Sequence, residues 1–168
     1  MKINPYVGPR PFEKEDQRYF YGRNREARDL FSLILAEQVV LFYAQSGAGK
    51  TSLLNACVIP DLEDRGFDVL PVVRVGNDPP PGIMRNKVNN IFIFSVLIGL
   101  ASEDTPIEGL LQHNLLSYLR EIYPDTNDAA DHPPPILIID QFEEVFTAHR
   151  DRWQDIQGFF EQVSDTFK

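Results

Sequence analysis

Five consecutive residues, Gly47-Ala48-Gly49-Lys50-Thr51, have the types and order that hold a phosphate chain. Small side chains let backbone N–H groups converge on phosphate oxygens, a lysine reaches the terminal phosphates, and a hydroxyl ligates Mg2+. A helix that opens at the same point turns its positive end toward the anion. The full pattern, Gly-x-x-x-x-Gly-Lys-Ser/Thr, begins with glycine, and Ala44 stands in that place. That position leads from strand into loop and accepts a small residue. A glycine-rich turn with an incidental lysine is the plainer alternative. The context disfavours it, because an apolar run precedes the loop and a helical pattern follows.

A second constellation is PILIIDQFEEVF, residues 135–146. An apolar run ending in Asp140 sets one carboxylate at the C-terminal edge of a strand, where ligands bind in open α/β sheets. Asp140 is the expected partner of Mg2+, through water, with Thr51 on the other side. Taken singly, it would equally well cap the next turn. Glu143 or Glu144 would orient or deprotonate an attacking water; the same pair also suits the acidic first turn of a helix. In many sites of this design the acid directly follows the aspartate. Here Gln141 holds that position, and an amide is no base, so hydrolysis is expected to be slow.

Alternating strand and helix patterns must position these groups. Residues 39–44 (VVLFYA), 69–75 (VLPVVRV) and 136–140 (ILIID) read as apolar strands. Asn24 is placed to cap a helix carrying Leu30, Phe31, Ile34 and Leu35. A helix should run from Lys50 to before Gly66. Further helices are expected over 84–101, over 106–122, and at the C-terminus, where Trp153, Ile156, Phe160, Val163 and Phe167 recur at helical spacing. Prolines at 79–81 and 133–135 break the pattern between them. Strands separated by helices imply parallel pairing through right-handed crossovers, an α/β fold with a parallel sheet flanked by helices.

Composition narrows the field. The chain has 168 residues, 25 acidic against 16 basic, for a formal charge of −9. No basic stripe is available for nucleic acid. The single cysteine, Cys57, excludes an intrachain disulfide and a cysteine-rich zinc site, and its helical spacing suits a buried small side chain better than a nucleophile. The most apolar stretch, residues 91–101, has 11 residues where a membrane span needs about 20, so it reads as a buried helix or strand. The first residues do not form a signal peptide, and a reducing, cytoplasmic location is the default. His113, His132 and His149 lack ligand spacing, so Mg2+ is the only metal expected.

Four separated blocks, GPRPFEKEDQRYFYGRNREARDL, AQSGAGKTSLLNACVIPDL, PVVRVGNDP and ILIIDQFEEVF, occur in the order seen in the STAND-class P-loop NTPases. Over residues 6–147 the chain resembles the N-terminal half of the bacterial novel STAND subgroup. The resemblance implies an ASCE/STAND-type P-loop core over 24–168, after a lead-in and base-contacting segment over 1–23. It implies that Gly47, Ala48, Gly49, Lys50 and Thr51 bind triphosphate and Mg2+, with Ser46 lining the loop and Ser52 following it. Phe20, Gly22 and Arg23 would pack against the base, although Phe20 and Tyr21 could equally be plain core. Asp140 would be the second-motif aspartate, and Lys50 with Glu143 and Glu144 would carry the chemistry. The displaced acid is then a family trait.

The resemblance further implies an ATP/ADP-controlled switch, used in bacterial defence or signalling, that assembles with protein partners or with itself through the rest of a larger protein. Membrane and direct nucleic-acid contacts are not expected. The family core continues with further strands, one of which lies between the two motif strands, so a chain ending at Lys168 is expected to form an incomplete sheet at its C-terminal side. Two other functions compete. One is a non-catalytic interaction domain that uses the face left open. The other is a small-molecule kinase, for which Arg74 and Arg85 are available but form no lid-like cluster.

Overall fold

The computed structural model describes residues 8, 10–124 and 133–166. Expectations for His132, Phe167 and the ends of the first and last proline-rich blocks fall outside the described residues. The chain divides into two compact units, Met1–Val69 and Leu70–Lys168.

In the first unit, α1 (Asn24–Ala36) buries Ala27, Leu30 and Phe31, leaves Ile34 half-buried, and exposes Leu35. Arg23, not Asn24, occupies the cap position, and no side chain caps the helix. The helix expected after the glycine loop is present in three consecutive pieces: α2 (Lys50–Leu53), a π-helical turn (Leu54–Val58) and α3 (Ile59–Asp64). Pro60 accounts for the widened turn. Its missing N–H cannot bond to the carbonyl of Ala56, and its ring would clash there in a regular α-helix. Gly66, with φ +84°, ends the run.

A 3-10 turn over Lys14–Tyr19 is stitched to this helix. The Phe12 N–H donates to Ser52 Oγ at 3.1 Å, Asn55 Nδ2 donates to Glu13 Oε2 at 2.8 Å, and Lys14 pairs with Glu63. The guanidinium of Arg65 lies 4.6 Å from the Phe31 ring centroid.

The second unit is built around α4 (Ile91–Leu100), whose sequence IFIFSVLIGL is apolar on every side. Ile91 to Leu97 and Leu100 are all buried, as expected of a helix surrounded by other elements. Asn90 caps it by accepting from Phe92 N and Ile93 N at 3.1 Å each. Those two bonds fix the start that the β-branched sequence leaves ambiguous. β1 (Val73–Arg74) pairs in parallel with β2 (Ile139–Asp140), with Val73 opposite Ile139 and Arg74 opposite Asp140. α4 packs on this pair, and Ser95 Oγ donates to the Arg74 carbonyl at 2.7 Å. α5 (Ile107–Leu110), α6 (Leu115–Ile122), α7 (Glu144–Thr147) and α8 (Asp155–Asp165) complete the unit.

Several expected elements differ. Residues 39–44 form no strand among the described residues. Val39, Leu41 and Tyr43 are exposed while Val40 and Phe42 are half-buried, a period of two with one open face. A strand exists only when its backbone groups meet a ladder partner, and this run has none among the described residues.

The run over 69–75 narrows to two strand residues. Leu70 N bonds to Ile136 O and Val73 N to Ile138 O, so three steps on one side match two on the other. Pro71 has no N–H to donate, and the extra residue is bulged out beside it. The expected helix over 106–122 is split, because Asn114 accepts from Ser117 N at 2.8 Å and starts α6 afresh. In α8 the buried ring is Phe159, with Phe160 41% exposed and Trp153 exposed before the helix starts.

Candidate functional site

The glycine loop lies in the first unit. Gly47 and Gly49 have φ of 77° and 76°, left-handed values that glycine adopts without strain. Gly49 immediately precedes α2, so the first turn, whose N–H groups have no intrahelical acceptors, faces the loop. Lys50 Nζ folds back to donate to the Ala44 carbonyl at 2.9 Å and to that of Gln45 at 3.5 Å. Ala48 N bonds to Gln45 O, closing the turn. The loop therefore turns carbonyls toward two cations of its own chain. Arg23 supplies the second, donating through Nη1 to Ala48 O at 2.6 Å while its Nε reaches Glu26 Oε1.

Ser46, Gly47 and Ala48 are exposed, and Gly49, Lys50 and Thr51 are half-buried. Ser52 is buried, its hydroxyl accepting from Phe12 N. Of the lead-in residues, Gly22 is left-handed at φ +86°, Phe20 is half-buried against Phe12, and Tyr21 is 79% exposed. Arg23 meets the loop backbone directly.

The acid segment lies in the second unit. Asp140, at the end of β2, is 7% exposed, and its Oδ1 accepts from Gln141 N at 2.9 Å. Gln141 has φ +54°, uncommon for a residue with a side chain, so the backbone reverses sharply as it leaves the strand. Phe142 then packs on Phe159 and Phe160, each at a centroid distance of 6.0 Å, and Val145 is fully buried. These two apolar anchors set the directions of the acids between them. The Glu143 carboxylate is exposed and has no hydrogen bond or ion pair among the described residues. Glu144 Oε2 accepts from Gly76 N at 3.2 Å.

Residues 5–168 match the family model of novel STAND NTPase 1. The chain belongs to that family. No curated protein and no solved structure matches it.

In this STAND NTPase domain two residues just beyond the acid segment, His149 and Arg152, carry ties that no motif marks. His149, at φ +46°, keeps its side chain only 5% exposed. A proton on Nε2 donates to the Asn77 carbonyl at 3.2 Å, and Nδ1 then accepts from Arg85 Nη2 at 3.0 Å. Arg85 also lies near Asp78 and Asp151, at 3.7 and 3.4 Å. Arg85, one of the two arginines available to a kinase lid, is committed to this network. No spacing rule reveals His149, since its partners are 64 and 72 residues away.

Arg152 forms a similar tie, pairing with Asp155 at 2.7 Å and donating to the carbonyls of Arg85, Val88 and Asn89. Among the described residues no three His, Cys, Asp or Glu side chains gather as a metal site. Mg2+ bound with phosphate oxygens and water needs only one or two protein ligands. Burial, with the Asp61 carboxylate, pushes the Cys57 thiol up, and Arg23 offsets this in part. No helix among the described residues is long and apolar enough to cross a membrane.

Proposed function

We propose that this STAND NTPase domain is an ATP-binding regulatory switch with slow hydrolysis, controlling assembly or signalling of a larger protein. One observation carries the reading: left-handed Gly47 and Gly49 lead into the Lys50 helix, with the Lys50 ammonium resting on loop carbonyls. Loop carbonyls hold the Lys50 ammonium at the loop, and phosphate oxygens are stronger acceptors for it than carbonyls. Lys50 then binds the terminal phosphates, the backbone of Gly47 to Lys50 orients them, and Thr51 and Asp140 are assigned to Mg2+. When bound, the ion neutralises charge on the β- and γ-phosphate oxygens. One acid of the 143–144 pair orients water.

Calorimetric titration of the intact protein tests this reading. Mg2+-dependent ATP or ADP binding that disappears in Lys50→Ala is expected. Undiminished binding in that variant sinks the proposal.

A second reading, a non-catalytic interaction domain, rests on the open face of residues 39–43, where Val39, Leu41 and Tyr43 are 63%, 71% and 83% exposed. Such a row favours association. Light scattering discriminates: a multimer that dissociates when the three become serine, with nucleotide binding intact, supports it.

A further inference from the structure

The block PVVRVGNDP has no role in the reading above, and the two adjacent glutamates are equivalent in sequence. The structure connects the two. Gly76, two residues after β1, donates its N–H to Glu144 Oε2, and Glu144 fills the space where a side chain at 76 would stand. A Cβ on Gly76 would lie 2.5 Å from Oε2, 2.8 Å from Cδ and 2.9 Å from Cβ of Glu144. Such distances are closer than real Cβ contacts, so this position accepts glycine alone while Glu144 is in place. The next residue is tied to the same side, since Asn77 O accepts a hydrogen bond from His149 Nε2. The segment after β1 is therefore fastened to the segment after β2 at two points, one at the first residue of α7 and one just beyond its end.

We propose that Glu144 is a positioning residue that fastens α7 to the Gly76 segment, and that Glu143 is the acid that takes the proton from the attacking water. This inference rests on the nucleotide-hydrolysing reading above. Phe142 and Val145 are anchored in the core on either side, and the two carboxylates meet different surroundings. Glu144 is half-buried with one oxygen engaged by a backbone donor, whereas Glu143 faces solvent, where a water can reach it. In the step assigned to Glu143, the water oxygen bonds to the γ-phosphorus as the bond from phosphorus to the bridging oxygen breaks. The carboxylate accepts the water's proton, leaving ADP and inorganic phosphate.

The test uses the full chain and three variants. Mg2+-ATP binding is measured by calorimetry, single-turnover hydrolysis by phosphate release, and melting temperature by scanning calorimetry. Glu143→Gln should bind as the wild type does, and should lose about 100-fold or more in hydrolysis, the usual worth of a general base. Glu144→Gln keeps an oxygen that accepts from Gly76, so melting temperature and hydrolysis should stay close to wild type. Glu144→Ala removes the fastening and should lower both.

Loss of hydrolysis in Glu144→Gln with retention in Glu143→Gln reverses the roles and overturns the proposal. A wild type that binds ATP without turning it over overturns the assignment of Glu143. A wild type that binds no nucleotide refutes the underlying reading instead. In that case the melting temperatures of the two Glu144 variants still decide whether it fastens the segment.

Discussion

The guanidinium of Arg23 donates to the carbonyl of Ala48 at 2.6 Å, joining the residue before α1 to the middle of the glycine loop. An added Cβ on Gly49 would come within 3.3 Å of the same nitrogen, so the arginine also fills the space beside that glycine. The residue expected to pack against the base holds the backbone of the glycine loop in place.

Arg23→Ala should loosen the loop without unfolding the helices around it. A charge-assisted hydrogen bond contributes about 1.5–3 kcal/mol at best, and partial exposure reduces this to about 1 kcal/mol of local opening energy. Amide hydrogen exchange across residues 46–50 should then quicken roughly fivefold. Arg23→Lys should recover part of this, since one ammonium cannot hold Ala48 and Glu26 in the forked geometry of the guanidinium. Unchanged exchange in Arg23→Ala contradicts the tie.

Asn90 does two jobs at the start of the central helix. Its Oδ1 caps two N–H groups, and its Nδ2 donates to the Asp155 carbonyl at 2.6 Å. Asn90→Ala should cost about 2 kcal/mol in urea unfolding, a typical cap loss plus an orphaned carbonyl. Asn90→Asp keeps the cap and loses the donor, so its stability should fall between the two. A loss in Asn90→Ala no larger than that of an exposed substitution refutes the double role.

What the sequence makes legible follows the range of the interactions involved. The glycine loop is local: small residues at 47 to 49 followed by Lys50 and Thr51 encode a left-handed turn into a helix, and the structure has one. The position of Asp140 at a strand end is equally local. The choice between Glu143 and Glu144 depends on Gly76, 68 residues away, and adjacent glutamates carry no sign of it. Residues 39–44 have strand composition, yet strand structure belongs to a pair of segments, and composition describes only one. Helical spacing cannot separate Phe159 from Phe160, since either continues the row from Ile156. Contact with Phe92 selects Phe159, since Phe142 touches both rings.

Gly99 tests how closely the central helix approaches the strand pair. Helix propensity alone makes Gly99→Ala stabilising by about 1 kcal/mol. The new methyl would lie 2.7 Å from Val73 Cγ1 and 3.0 Å from its Cβ, on a stiff β-branched residue that is 1% exposed. Overpacking of that kind costs about 1–3 kcal/mol, so net destabilisation of roughly 1 kcal/mol is expected. Adding Val73→Ala should remove the clash penalty, so the double variant should lose less stability than the two single variants summed. Greater stability in Gly99→Ala alone means that the helix and strand are farther apart than described.

Cys57 provides a test by pH. Its thiol is pushed above the ordinary value, first by burial and then by Asp61, with Arg23 acting in the opposite direction. The sign follows directly. A folded value above the unfolded one keeps the neutral thiol at pH 8, so the thiolate fraction is smaller in the native chain than in the unfolded chain. Any stability linked to this group is fully present below the unfolded thiol's titration range and is lost as pH rises through the folded value. Iodoacetamide should therefore alkylate the native protein more slowly than the urea-unfolded protein at pH 8, and the native rate should climb only at more alkaline pH. Asp61→Asn should raise the native rate at a given pH, and Arg23→Ala should lower it. A native thiol that reacts faster than the unfolded one at pH 8 is an activated nucleophile, contrary to its place in the widened turn between Leu54 and Val58.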